Sequence, residues 1–218
     1  MCALLWQIAA PAPKLDVTED SSKNSRHLAR MQRKKAVVDE KIAAAHVQRG
    51  LFLIHTGNGK GKSTAAFGLL ARALGHGMKA VVVQFIKGRS DTGEEAFFRG
   101  NANLTWHVMG DGFTWETQNP EQDKQSAQVA WALVKKTLQD ETVDVVILDE
   151  FTYTLKYQWL EIDEIVSAIQ NRPKMQHVVV TGRGAPAGLI EIADTVSEIN
   201  LVKHAFKNGV QAMPGIEF

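Results

Sequence analysis

The stretch from Leu51 to Thr64 reads LFLIHTGNGKGKST and decides the fold of the chain around it. A short apolar run, predicted to be a buried strand, leads into a glycine-rich turn, and the turn opens a helix near Lys62. Gly57, Gly59 and Gly61 leave room for backbone N–H groups to crowd against phosphate oxygens. The helix N-terminus and the ammonium group of Lys62 add positive charge behind them. The stretch therefore predicts a polyphosphate-binding loop.

The loop departs from the common G-x-x-x-x-G-K-[ST] pattern at its first position. Counting back from Gly61, the place of the first glycine holds Thr56, and a glycine follows one residue later. Strand, loop, Lys-Ser pair and helix still fall in the required order, so the departure concerns how a nucleotide lies in the loop rather than whether it binds. The hydroxyl of Ser63 would bind a Mg²⁺ or Mn²⁺ ion that bridges two phosphates. The loop residues predicted to bind the nucleotide are Gly57, Asn58, Gly59, Lys60, Gly61, Lys62, Ser63 and Thr64.

A second landmark is the apolar run VDVVILDE at residues 143–150. Such a run predicts a strand buried on both faces, and its carboxyl end, where open α/β sheets bind ligands, carries Asp149 and Glu150. After a phosphate loop, this pattern indicates a Walker B element, in which Asp149 would hold Mg²⁺ directly or through water. An acidic pair at a strand end is common, so it supports a Walker B element only in combination with the phosphate loop. Glu150 is also a predicted nucleotide-binding residue.

Arg183 follows a further apolar run, HVVVT at residues 177–181, which also predicts a buried strand. Because the carboxyl ends of parallel strands meet at one edge of a sheet, this arginine would leave its strand on the ligand side. The alternative is a surface arginine in a turn. We favour a phosphate contact.

The alternation of strand and helix patterns predicts an α/β fold with a mostly parallel sheet and helices on both faces, like that of RecA-like P-loop NTPases. Residues 1–25 are predicted to form a disordered extension. Residues 26–49 are predicted to form an amphipathic helix with seven basic and two acidic residues. This helix is either a solvated surface helix or a basic cap over an anionic ligand or a partner subunit. Residues 50–218 form the predicted phosphate-loop domain, in which Arg89–Glu95 is a polar loop and Asn119 caps a helix.

The composition excludes several classes of protein. A net charge of +1 gives no overall basic field, which disfavours a stable nucleic-acid partner. The single cysteine, Cys2, excludes an internal disulfide and a cysteine-based metal site. No apolar run approaches the ~20 residues of a membrane helix, and the apolar start of the chain lacks the basic region of a signal peptide. We therefore expect a cytoplasmic protein without a membrane partner.

Four stretches together resemble the P-loop type of ATP:corrinoid adenosyltransferase. They are TGNGKGKSTAAFG at residues 56–68, VQFIKG at 83–88, GFTWETQ at 112–118 and VKHAF at 202–206, with LDE at 148–150 and TGRG at 181–184 between them. The resemblance runs from about residue 26 to residue 218. It implies an enzyme that transfers the 5′-deoxyadenosyl group of ATP to the cobalt(I) of a reduced corrinoid. Triphosphate would be released, and adenosylcobalamin or an adenosylated precursor would form.

The resemblance also implies roles for particular residues and partners. Lys62 would stabilise the leaving triphosphate, and the nucleotide would lie reversed in the loop, in keeping with its altered first position. Phe113 and Trp115 would pack beneath the corrin and displace the lower axial ligand, which makes cobalt(II) easier to reduce; aromatic residues in a core are the alternative. The N-terminal helix would cap the active site of the partner in a homodimer. A flavoprotein or another reductase would supply electrons.

Two other functions fit the residues alone. An ATP hydrolase or kinase would use Glu150 to orient water or an acceptor hydroxyl, and would release ADP. A nucleotide-dependent regulatory module would place its basic arm on nucleic acid and would bind with a steep salt dependence. Within the adenosyltransferase hypothesis, complete cobalamin and a precursor are both open as substrates, as are de novo synthesis and salvage.

Overall fold

Residues 17–86, 92–109 and 119–217 are described by the computed structural model of the protein, with side chains of the N-terminal helix described from Lys23 onward. The chain divides into two compact units, residues 1–47 and residues 48–218. Across the described residues, no helix combines the length and the apolar character needed to span a membrane.

The described part of the first unit contains helix α1, Val17–Ala44. Its described side chains are all exposed, and an ion pair one turn apart joins Lys35 to Asp39. The helix predicted over residues 26–49 begins later and ends later than α1 does. Residues 17–25 are helical rather than part of a flexible arm. A solvated helix needs no apolar stripe, so the polar composition of its first turns concealed the start.

The second unit is built on one parallel sheet whose strand order is β3-β2-β4-β5-β1-β6. The strands are β1 Phe52–Thr56, β2 Ala80–Gln84, β3 Leu104–Val108, β4 Val145–Asp149, β5 His177–Thr181 and β6 Thr195–Glu198. The chain runs outward from β1 to β2 and β3, then returns through β4 and β5. The carboxyl ends of β1, β4 and β5 thereby become neighbours at one edge, which is where open α/β sheets bind ligands.

Helices follow the strands and cover both faces of the sheet. They are α2 Lys62–Gly75, α3 Gly93–Phe98, α4 Pro120–Thr137, α5 Thr152–Lys156, α6 Ile162–Gln170 and α7 Ala187–Ile192, with a 3₁₀ turn at Ala205–Asn208. Alternate residues of β1, β2, β4 and β5 enter different cores: Val83 packs in the cluster that contains Trp131 of α4, and Val82 packs in the one that contains Leu70 of α2. The period of two in strands produces this division. The predicted fold class is confirmed.

Two short helices were not predicted. The predicted polar loop Arg89–Glu95 is wrong at its end, because α3 begins at Gly93, with Thr92 as the N-cap residue. The Thr92 hydroxyl accepts a hydrogen bond from the backbone N–H of Glu95 at 3.4 Å, the first half of a T-x-x-E capping box. Helix α5 follows β4 almost at once and is only five residues long. The predicted cap at Asn119 is confirmed, since its side chain accepts from the N–H of Gln122.

Candidate active site

The glycine-rich loop joins the carboxyl end of β1 to the first residue of α2. It is held against the segment that follows β6: the N–H of Gly59 donates to the carbonyl of Ile199 at 2.6 Å, and the N–H of Ile199 donates to the carbonyl of Thr56 at 2.8 Å. A Cβ on Gly57 would lie 2.5 Å from the same Ile199 carbonyl, and Gly57 has a φ of 99°. Only a glycine fits there at this approach, so the loop backbone is fixed by its contact with the end of β6.

Lys62 is the first residue of α2, and its side chain turns back into the loop. The residue is 6% exposed, and its Nζ donates to the carbonyl of Gly59 at 2.7 Å. Burial lowers the pKa of Lys62, while the carboxylates of Glu150 and Asp149 act in the opposite direction. A buried ammonium group is stabilised by an anion placed beside it. The loop therefore presents a cation that gains from an anionic ligand.

A row of hydrogen-bonded side chains crosses the carboxyl edge of the sheet next to this loop. Asp149, at the end of β4, is fully buried; its Oδ2 accepts from Gln84 Nε2 at 2.9 Å and its Oδ1 accepts from Thr181 Oγ1 at 2.8 Å. Trp106 Nε1 donates to Gln84 Oε1 at 3.1 Å, and the backbone N–H of Glu150 donates to Thr181 Oγ1 at 2.9 Å. The row links β3, β2, β4 and β5. The position of the Asp149 carboxylate is therefore set by the two strands that flank β4, and Gln84 is in turn held by Trp106 of β3.

The oxygen donors near the loop suit a magnesium ion that arrives with its nucleotide. Magnesium usually binds proteins through one or two carboxylates and completes its shell with water and substrate phosphates. Ser63 is half-buried at the start of α2, and both carboxylate oxygens of Asp149 already accept hydrogen bonds. Among the described residues, no group of three or more His, Cys, Asp or Glu side chains could hold a metal ion. The donor set would fit an ion that arrives with its nucleotide, held by the Ser63 hydroxyl and, through water, by Asp149.

A cavity of about 680 Å³ opens over the loop and the carboxyl edge of the sheet. It brings together most of the predicted ATP-binding residues: Asn58, Gly59, Lys60, Gly61, Lys62, Ser63, Thr64, Glu150 and Arg183. Gly57 and Asp149 are not part of its lining and lie behind it. Phe113 and Trp115 fall in residues 110–118, outside the described residues. The further lining residues were not predicted: Glu94, Tyr153, Lys156, Tyr157, Gly184, Ile216 and Glu217.

Arg183 reaches the cavity from the turn after β5. Its backbone carbonyl accepts a hydrogen bond from Thr152 Oγ1 of α5 at 2.8 Å, and its side chain is exposed. The turn and α5 also meet at Gly182, where an added Cβ would lie 2.1 Å from Thr152 Oγ1. The backbone of this turn is thus fixed, while the guanidinium group remains accessible to a ligand.

Three aromatic side chains form a stack along α5 and the turn that follows it. The rings of Tyr153 and Tyr157 are stacked with centroids 6.2 Å apart, and those of Tyr157 and Trp159 are 5.1 Å apart. Lys156 Nζ lies 5.7 Å from the centroid of the Tyr153 ring and 5.5 Å from that of Tyr157. Burial, and next the charge of Glu150, raises the pKa of the Tyr153 hydroxyl. This aromatic stack could have been predicted from the sequence TYTLKYQW, which is dense in aromatic residues and directly follows the acidic strand end.

Comparison with known proteins matches both units of the chain. Residues 48–218 match the family ATP:corrinoid adenosyltransferase BtuR/CobO/CobP, and residues 17–42 match the family Cob(I)alamin adenosyltransferase N terminal. The chain is 58% identical over 203 residues to the corrinoid adenosyltransferase of Pseudomonas aeruginosa, an alignment that covers 93% of this chain and 100% of the relative. It is 46% identical over 195 residues to the corrinoid adenosyltransferase of Escherichia coli K12, covering 89% of this chain and 99% of that one. The corrinoid adenosyltransferase CobA of Salmonella typhimurium is also 46% identical, with the same coverage of 89% and 99%.

Proposed function

The chain belongs to the ATP:corrinoid adenosyltransferase family BtuR/CobO/CobP, and from this we propose that its loop cavity holds ATP while the 5′-deoxyadenosyl group passes to the cobalt(I) of a reduced corrinoid. The observation that carries the proposal is the buried ammonium group of Lys62, aimed into a glycine loop beside Ser63 and near Asp149, whose two carboxylate oxygens each accept a hydrogen bond. Together they form a site for a polyphosphate with its cation.

The chemistry of the transfer explains why such a site serves it. Cobalt(I) displaces the oxygen at C5′, so the C5′–O bond breaks and the whole triphosphate leaves with both electrons of that bond. A strong nucleophile of this kind needs no general base. The developing negative charge needs preorganised donors instead, and Lys62 with the loop N–H groups supplies them. The protein thus accelerates the reaction mainly by stabilising its leaving group.

The remaining cavity residues have separate roles in binding the nucleotide. Lys60 and Arg183 provide two accessible cations for the phosphates, and Asn58 and Thr64 provide polar contacts at the two ends of the loop. Glu150 has a φ of 55°, a left-handed backbone that costs a non-glycine residue about 1 kcal/mol or more. Its N–H bond to Thr181 holds that turn, which directs the Glu150 side chain toward the nucleotide. Mg²⁺ would be held by the Ser63 hydroxyl and, through water, by Asp149, and would neutralise part of the phosphate charge.

The corrinoid side of the reaction rests on the family resemblance. Phe113 and Trp115 would lie beneath the corrin and exclude the lower axial ligand. We expect Phe113→Ala and Trp115→Ala to spare ATP affinity and transfer from chemically prepared cobalt(I). Transfer that starts from cobalt(II) and a weak biological reductant should collapse. Equal loss under the two conditions would assign these aromatic residues to folding or to corrin positioning.

The partners follow in the same way. We propose a homodimer in which α1 of one subunit caps the active site of the other, and a reductase that delivers electrons to cobalt(II) in the cytoplasm. The match of residues 17–42 to an adenosyltransferase N-terminal family supports a role for α1 in this enzyme. Light scattering of the full chain measures the oligomeric state. Deletion of residues 1–16 should leave activity intact, whereas deletion through residue 49 should impair it.

Product analysis tests the function itself. The full chain is supplied with ATP, Mg²⁺ and a chemically reduced corrinoid, and the phosphate products are separated and counted against adenosylated corrinoid. We expect one triphosphate for each adenosylated corrinoid. ADP with orthophosphate or with a phosphorylated acceptor would identify a hydrolase or kinase instead.

A further inference from the structure

The described chain ends in a tight turn that reaches the cavity from the far end of the sequence. The backbone N–H of Glu217 donates to the carbonyl of Met213 at 3.0 Å, and that of Ile216 donates to the same carbonyl at 3.3 Å. Ile216 is 77% exposed, whereas the side chain of Glu217 is 24% exposed. The turn therefore leaves its apolar side chain in solvent and buries most of its acidic one.

The carboxylate of Glu217 forms an ion pair with Nζ of Lys60, in the middle of the phosphate loop. Both residues line the same cavity as Lys62 and Ser63. A negative charge in a phosphate site acts on a bound polyphosphate in two ways. It repels the phosphate oxygens, and it engages a lysine that those oxygens would otherwise bind.

We propose that Glu217 is a release residue, which weakens the binding of the product triphosphate more than that of ATP. The inference rests on the proposed function, because it takes triphosphate as the leaving group. When the C5′–O bond breaks, the bridging oxygen of ATP keeps both electrons, so the phosphate chain gains one unit of negative charge. Repulsion from a fixed carboxylate grows with the charge of the ligand, so it opposes the product more than the substrate. Lys60 then exchanges between the phosphates and Glu217 in each cycle.

The reaction itself favours slow release of its product triphosphate, and Glu217 would oppose this. The loop, Lys62 and the metal ion that stabilise the developing charge of the leaving group also bind the finished product tightly. The Glu217 carboxylate, paired with Lys60, lowers the affinity for triphosphate without altering the backbone N–H groups or Lys62. Because Lys60 is 50% exposed on its side chain, its exchange of partners needs no change in the fold.

Calorimetric titration of the full chain with sodium tripolyphosphate and, separately, with ATP, both with Mg²⁺, tests the proposal. We expect Glu217→Gln to lower the Kd for tripolyphosphate about threefold to fivefold, the scale of one partly exposed ion pair, and to lower the Kd for ATP less. Glu217→Ser removes the same charge with a smaller side chain and should change the ratio of the two constants in the same direction. Glu217→Asp keeps the charge and should keep the ratio of the wild type.

The matched control is Glu164→Gln, which removes a carboxylate from an ion pair with Lys135 between α6 and α4, outside the cavity lining. It should leave both constants unchanged. An unchanged ratio in Glu217→Gln and Glu217→Ser, or weaker tripolyphosphate binding in them, overturns the release role. Failure of the wild-type chain to bind either ligand refutes the phosphate site of the proposed function instead, so the two failures are distinguishable.

Discussion

The site contains two sets of residues, one buried and one at the rim of the cavity, and they are held in different ways. The buried set consists of Lys62, Gln84, Asp149 and Thr181, which are almost inaccessible to solvent and joined to the protein by hydrogen bonds. The rim consists of Lys60, Tyr157, Arg183 and Glu217, which lie on the loop, directly after α5, in the turn after β5 and near the end of the described chain, and which are more accessible to solvent than the buried set. The buried set is fixed when the protein folds, whereas the rim can change its contacts when a ligand binds.

The difference assigns distinct tasks to the two sets. Groups that stabilise a transition state must be in position before the reaction, because any rearrangement at that moment costs free energy. Groups that admit a substrate and release a product must exchange partners, and a buried, fully hydrogen-bonded side chain does this poorly. We therefore expect changes in the buried set to lower the rate of transfer, and changes in the rim to alter binding constants.

Lys62 and Lys60 offer the sharpest test, because they are two residues apart and differ in burial. Lys62→Ala should lower kcat/KM for transfer by a factor of about 10² or more, the scale of one lost preorganised contact, while the fold is retained. Lys60→Ala should lower it by about tenfold or less, mainly through KM, since its contact is exposed. Steady-state kinetics with ATP and cobalt(I) corrinoid measures both. Near-normal turnover of Lys62→Ala at saturating ATP would remove the phosphate loop from the mechanism.

Thr181→Val tests the buried set from the sheet. The substitution keeps the shape but removes the hydrogen bonds to Asp149 Oδ1 and from the N–H of Glu150. Loss of a buried polar partner costs about 1–3 kcal/mol, so we expect unfolding in urea at a correspondingly lower concentration, together with a reduced kcat. Thr105→Val, on an exposed position of the edge strand β3, is the control and should alter neither quantity. Full activity with full stability would show that the row does not position Asp149.

The sequence predicted those parts of the site that are local and missed those that depend on register. The loop, Lys62 and the acidic end of β4 lie on short continuous patterns, and the structure confirms the elements that carry them. Gln84 and Thr181 lie in stretches that carry the family resemblance, but neither was predicted to contact Asp149, because that contact requires β2, β4 and β5 to be adjacent. The pairing of Lys60 with a residue 157 positions away is equally invisible to any local pattern.

Arg183→Ala tests the rim. The guanidinium group is accessible and its backbone is fixed by Thr152, so its removal should leave the turn intact. We expect KM for ATP to rise about threefold to tenfold, the upper end being that of a charge-assisted hydrogen bond, with little change in kcat. Arg183→Lys should bind ATP more tightly than Arg183→Ala but less tightly than the wild type, because lysine cannot form a bidentate contact with a phosphate. A fall in kcat with an unchanged KM would move Arg183 from the rim to the groups that act in the transition state.

The smallest expected effect is a pH dependence of stability that belongs to the buried set. Burial lowers the pKa of Lys62 in the folded protein, so between that lowered pKa and the ordinary value of the unfolded chain the unfolded state binds more protons. Stability contributed by this residue therefore rises with pH through that window, because the cost of the buried ammonium disappears as it loses its proton.

At neutral pH, Lys62→Met should be more stable than the wild type, and its advantage should shrink as the pH is raised toward 10. Urea unfolding of both proteins at a series of pH values, without nucleotide, measures the difference. Saturating tripolyphosphate supplies the missing anion and should abolish the trend in the wild type. Parallel stability curves for the two proteins would mean that the loop already compensates the charge of Lys62 before any ligand arrives, and the contrast between the buried set and the rim would then lose its electrostatic basis.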